Sequence, residues 1–93
     1  MVYNKRATEQ TAAAIGRRMR EIREASGHNR TQFTRLFGCG PQRWYNYEAG
    51  VRAPDLDLLI WLHANLGINL NWLLAGELPK AIPGRDVLRL MSK

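Results

Sequence analysis

NRTQFTRLFGCGPQRWYNYEAG, residues 29–50, holds two short helical patterns on either side of a glycine-rich connection. Asn29 is a good N-cap, because its side-chain oxygen accepts a backbone N–H that the first helical turn leaves unpaired. The helix it opens runs from Arg30 to Phe37, offers Phe33, Leu36 and Phe37 to a core, and ends at Gly38. Gly38-Cys39-Gly40 then makes a tight connection. Pro41 stands at the first position of the next helix, where its φ is already helical and its missing N–H costs nothing. That helix is predicted from Pro41 to Ala49.

Upstream, Ile15, Met19 and Ile22 recur at i, i+4 and i+7, which predicts a first helix over Thr11 to Ser26, stopped by Gly27. Downstream, Gly50-Val51-Arg52-Ala53-Pro54 reads as a loop, Asp55 caps a fourth helix to Leu66 before Gly67, and Asn69 caps a fifth through Ala75. Pro79, Pro83 and Gly84 break the remainder, in which Asp86 to Met91 has room for a last short helix. No stretch shows the alternation of a strand. The expectation is an all-α, five-helix domain over residues 11–77, with an N-terminal arm at 1–10 and a tail at 78–93 that includes at most one short helix.

The chain has 93 residues, 45% apolar and 24% charged, which suits one folded domain and is far from a disordered composition. No apolar run approaches the roughly 18 to 20 residues that span a bilayer, and the first residues lack the apolar stretch of a secretory signal, so a cytoplasmic location without membrane contact is expected. Cys39 is the only cysteine, and His28 and His63 are isolated, so neither a disulfide, a metal site nor a cofactor is expected. Cys39 reads as a small packed hydrophobe, not a nucleophile. With no carboxylate pair and no phosphate-cradling glycine loop, no catalytic residues are assigned and the chain is not read as an enzyme.

The formal charge of +6 is one-sided: residues 1–52 hold ten Lys and Arg against four Asp and Glu, while residues 53–93 hold four of each. Such a surface attracts polyanions and is equally compatible with a merely solvated face. The third helix adds detail. With Trp44 set inward on a wheel of about 100° per residue, Tyr47 and Glu48 lie near it, Gln42 and Asn46 point away, and Arg43 and Tyr45 lie on the flanks. Gln and Asn amides match an adenine edge, and an arginine fork matches the O6/N7 edge of guanine. Glu48 is a carboxylate on an inward arc and needs a cation, because an unpaired buried charge is costly. Arg23, at the border of the first helix's apolar stripe, is the candidate partner.

These elements together resemble the phage-repressor and Cro-like (XRE-type) helix-turn-helix family over about Ile15 to Glu77. The match is carried by Arg23, by Gly38 ending the second helix, by Tyr47-Glu48-Ala49-Gly50, by Pro54 four residues later, and by Trp72-Leu73-Leu74-Ala75-Gly76. The resemblance implies a lambda-repressor-like DNA-binding domain in which Gln42, Arg43, Tyr45 and Asn46 read bases. It places Arg30 and Arg52 on phosphates, with Asn29 beside Arg30 counted among those contacts, and it lends the Arg23–Glu48 ion pair. Symmetric dimers on near-palindromic duplex DNA go with it. The chain departs from the family in Arg30 for a usual glutamine, Pro41 and Arg43 for smaller polar residues, Trp44 for a β-branched residue, and Thr34 and His63 where alanine is common.

The expected function is therefore a dimeric regulator, of repressor type, on a short inverted repeat. The alternative is a helical protein-interaction module, such as an antitoxin-like partner of another protein, with DNA binding secondary. On the fourth helix, setting Leu59 inward brings Leu56, Leu62 and Leu66 with it and leaves Trp61 pointing away, flanked by Leu58. Leu58 and Trp61 are thus dimer-interface candidates, and a tail carrying Val87, Leu88 and Leu90 competes for the same surface.

Overall fold

Among the described residues five helices follow one another in the order α1 (Lys5–Ser26), α2 (Arg30–Arg35), α3 (Pro41–Glu48), α4 (Leu56–Leu66) and α5 (Leu70–Ala75). The computed structural model describes residues 5–80, with side chains from Thr11 onward, and contains no strand among them. The expected helix at Asp86 to Met91 and the apolar tail residues Val87, Leu88 and Leu90 lie outside the described residues. Among the described residues no helix is long and apolar enough to cross a membrane.

The local signals act as their chemistry requires. Asn29 and Gln32 form a reciprocal capping box on α2, with Asn29 Oδ1 accepting from Gln32 N at 2.9 Å and Gln32 Oε1 accepting from Asn29 N at 3.1 Å. Asp55 Oδ1 accepts the Leu58 N–H at 2.9 Å and starts α4, and Gly67 ends it in the left-handed region. Between α2 and α3 the chain reverses at Gly38, whose φ of +77° no β-carbon-bearing residue adopts without strain. Leu36 and Phe37 are no longer α-helical as expected. Their N–H groups bond back three residues to Phe33 and Thr34, a tightened last turn that aims Phe37 into the core.

Two expectations are corrected. Helix α1 begins at Lys5, so residues 5–10 belong to a helix and not to an arm. The apolar periodicity begins only at Ile15, whereas Ala7, Glu9, Gln10 and Ala12 to Ala14 extend the helix by propensity, which leaves no periodic mark. Helix α4 is also rotated from the expected setting. Its core face is Leu58, Leu62 and Leu66, while Leu56 is 69% exposed and Leu59 only partly buried. Leu58, read as an interface residue, is 8% exposed within the core. Trp61 is half-buried against Phe37, with ring centroids 4.4 Å apart, so a side chain of the same domain covers part of it. Apolar residues occur on every side of LDLLIWLHANL, so the wheel alone has no unique solution.

The core joins Ile15, Met19 and Ile22 of α1 to Phe33, Trp44, Tyr47, Leu62, Ile68, Trp72 and Leu73, with α1 packing most extensively on α3. An aromatic cluster backs the α2–α3 corner: Phe33 and Trp44 meet edge to face at 4.9 Å, and Phe37 meets them at 5.4 and 5.8 Å. Trp44 thus fills with one large ring the place the resemblance gives to a β-branched residue. Buried Thr34 satisfies its hydroxyl by donating to Arg30 O at 2.7 Å. His63 stays exposed and donates from Nδ1 to Ile68 O at 2.9 Å.

Candidate nucleic-acid interface

Trp44 and Tyr47 are buried on the inner side of α3, and this fixes what the helix shows outward. Gln42 is exposed and Asn46 half-buried one turn later, with Gln42 Nε2 donating to Asn46 Oδ1 at 3.3 Å. The pair leaves the Asn46 amide N–H groups and the Gln42 carbonyl oxygen free to face outward, a donor and acceptor set suited to base edges. Tyr45 is 44% exposed, and the Arg30 guanidinium lies 4.9 Å from its ring centroid. Stacking on a ring restrains a long cationic side chain without consuming its outward N–H groups.

Beneath this surface the structure brings Arg23 and Glu48 together. Arg23 Nε donates to Glu48 Oε2 at 2.7 Å and Nη2 donates to Oε1 at 3.1 Å, a two-pronged pair whose side chains are 13% and 4% exposed. The hydrogen bond to Glu48 outweighs burial and holds the Arg23 guanidinium above its ordinary range. Arg30 Nε lies 3.7 Å from the same Glu48 oxygen and has no hydrogen-bond partner. One carboxylate therefore faces two arginines, and the corner where α2 begins keeps a net positive charge.

Three residues assigned from the sequence, Asn29, Arg43 and Arg52, carry further contacts of their own. Asn29 commits its side-chain oxygen to the α2 cap, so only its amide N–H groups remain for a phosphate. Arg43 is not free on the flank of α3: Nε donates to Tyr47 Oη at 3.0 Å and Nη2 donates to Asp55 Oδ2 at 2.9 Å. The bond to Tyr47 chiefly, with the Asp55 charge adding to it, raises Arg43 above its ordinary range. Arg52 is exposed in the loop after α3, where its backbone N–H and that of Val51 donate to Asn46 O at 3.3 and 3.0 Å. Those bonds seat the loop on the end of α3. Leu58 and Trp61 lie behind the corner and take no part in this face.

Behind Arg43 lies a cleft of about 360 Å³ lined by Phe37, Cys39, Asp57 and Trp61. Burial pushes the Cys39 thiol up, so it stays protonated and a poor nucleophile at neutral pH. Among the described residues no group of three or more His, Cys, Asp or Glu side chains is placed to hold a metal ion.

Sequence reasoning missed two contributors. Gly16 lies where α1 crosses the end of α3, and a β-carbon there would run into the carbonyl oxygens of Tyr47 and Glu48. A glycine costing roughly 1 kcal/mol inside a helix, next to a core isoleucine, is the signal that a close backbone approach is required. Asp55 was legible only as a cap, and its second oxygen on Arg43 has no local signature.

Comparison with known proteins places the helix-turn-helix domain family on residues 14–62, just over half of the chain, covering the whole of the α2–α3 corner and most of α1 and α4. No curated protein and no solved structure matches the chain.

Proposed function

The chain belongs to the helix-turn-helix domain family, a family of DNA-binding domains, and on that premise we propose that it is a sequence-specific transcriptional regulator of repressor type. It acts by binding, without catalysis, as a homodimer on a short inverted repeat. Helix α3 enters the major groove with Gln42, Arg43, Tyr45 and Asn46 toward the bases, while Arg30, Arg52 and the Asn29 amide meet the phosphates. The observation that carries this reading is the outward face of α3. Its polar side chains are surface-accessible on a helix whose inner side is locked by Trp44, Tyr47 and the Arg23–Glu48 pair. Leu56 and Ile60, 69% and 53% exposed one turn apart on α4, offer the apolar contact for a second copy.

Selection of bound duplexes from a random pool tests the proposal. A regulator of this kind enriches one site with two-fold symmetry, and replacing Gln42 or Asn46 with alanine costs about 1 to 3 kcal/mol on that site and little on random DNA. Failure of the wild-type chain to enrich any sequence refutes it.

A further inference from the structure

Arg43 is an exposed arginine whose guanidinium is nonetheless held at two of its N–H groups. Nε and Nη2 lie along one edge of the planar group, the same edge by which Arg23 grips Glu48. On Arg43 that edge is occupied by Tyr47 Oη and Asp55 Oδ2. The opposite edge, formed by Nη1 and the second hydrogen of Nη2, makes no hydrogen bond among the described residues. It presents two parallel N–H donors, the pattern that pairs with O6 and N7 of guanine.

The holders are themselves fixed. Tyr47 is 1% exposed in the core, so its hydroxyl projects from a ring that cannot swing. Asp55 divides its carboxylate, giving Oδ1 to the Leu58 N–H at the start of α4 and Oδ2 to Arg43. The Arg43–Asp55 pair is about half-exposed on both sides, at 55% and 45%, and exposed pairs contribute little to stability. Its geometric effect is larger, because it removes the rotamer freedom that an arginine otherwise loses on meeting a base.

We propose that Asp55 and Tyr47 are specificity-determining positioning residues that hold Arg43 with its free edge outward, so that the chain demands a guanine at one position of each half-site. The inference rests on the proposed DNA-reading function. It assigns to the α4 cap a role in sequence choice, although Asp55 lies outside the reading helix.

The test is pool selection with the full chain, run on wild type, Arg43→Ala, Asp55→Asn and Asp55→Ser. Asparagine and serine both keep an oxygen for the α4 cap, and melting curves check that the fold is retained. Arg43→Ala identifies the guanine position as the one where preference disappears. Both Asp55 variants are expected to lose preference for guanine at that position alone, by on the order of tenfold, with binding to random DNA unchanged or slightly tightened. Tyr47→Phe, which deletes only the hydroxyl, shifts the same position in the same direction. A wild-type chain that enriches no site refutes the DNA-reading function and this inference with it. Enrichment of a site whose guanine preference survives in both Asp55 variants, or sharpens, overturns the inference alone, and sharpening means that Asp55 holds Arg43 away from the base. Loss spread evenly over all positions overturns it too.

Discussion

Glu48 is a buried carboxylate at the α2–α3 corner held between two arginines. Its carboxylate is 4% exposed, is gripped by Arg23 through two hydrogen bonds and has Arg30 Nε 3.7 Å from one oxygen. Removing it leaves Arg23 buried without its anion and two arginines facing each other, so Glu48→Ala is expected to cost about 3 to 5 kcal/mol. Replacing Arg23 and Glu48 together with apolar residues of similar size recovers much of that, since the buried charge then disappears. Urea or thermal unfolding of the single and double variants checks this, and strictly additive losses show that the pair contributes no coupling energy. Glu48 is legible in the sequence as an inward carboxylate that needs a cation. The approach of Arg30 is not, because it depends on the angle at which α2 meets α3.

At the scale of elements, two contacts decide how the corner is carried. Helix α1 lies against the end of α3 at Gly16, where no β-carbon fits over the Tyr47 and Glu48 carbonyls. Alanine in place of a helical glycine ordinarily stabilises by roughly 1 kcal/mol, but Gly16→Ala is expected to reverse that sign and destabilise by about 1 to 3 kcal/mol. A gain in melting temperature for this variant refutes the close approach. The rotation of α4 is tested by a matched pair of leucines. Leu58→Ala creates a core cavity and should cost about 2 to 5 kcal/mol, whereas Leu56→Ala on the exposed side should stay within roughly 0.5 kcal/mol. Equal losses restore the setting in which Leu56 faces inward. In the observed rotation Trp61 of α4 packs over Phe37 at the end of α2, and Leu58 faces inward.

For the whole molecule, the proposed homodimer requires two copies of α3 held at a fixed spacing. The exposed apolar residues of α4 make the expectation specific. Replacing both Leu56 and Ile60 with serine should dissociate the proposed homodimer in sedimentation equilibrium while helicity and melting temperature of the monomer are kept. A dimer that persists in this variant moves the interface elsewhere. Trp61→Ser is not an equivalent probe, although the helical wheel leaves Trp61 pointing outward. Trp61 supports Phe37 and the aromatic cluster behind α3, so its loss lowers stability whatever the oligomeric state.

The sequence by itself determined where the helices are, apart from the start of α1 and the last turn of α2. Caps, glycine stops and a proline at a first helical position act within about four residues, so Asn29, Pro41, Asp55, Gly67 and Asn69 need no tertiary context. It also determined the inward side of α3, because Trp44 and Tyr47 define an apolar stripe that polar Gln42, Arg43 and Asn46 cannot share. Tertiary structure alone decided the rotation of α4, whose apolar residues ring the whole helix, and the approach of α1 to α3 at Gly16. It alone decided the hold on Arg43 as well. Asp55 is twelve residues away on another element, and the packing of the α4 start beside α3 brings its carboxylate to 2.9 Å from that guanidinium. Periodicity orients a helix only when it is amphipathic, and pairings between elements depend on distances that no local signal encodes.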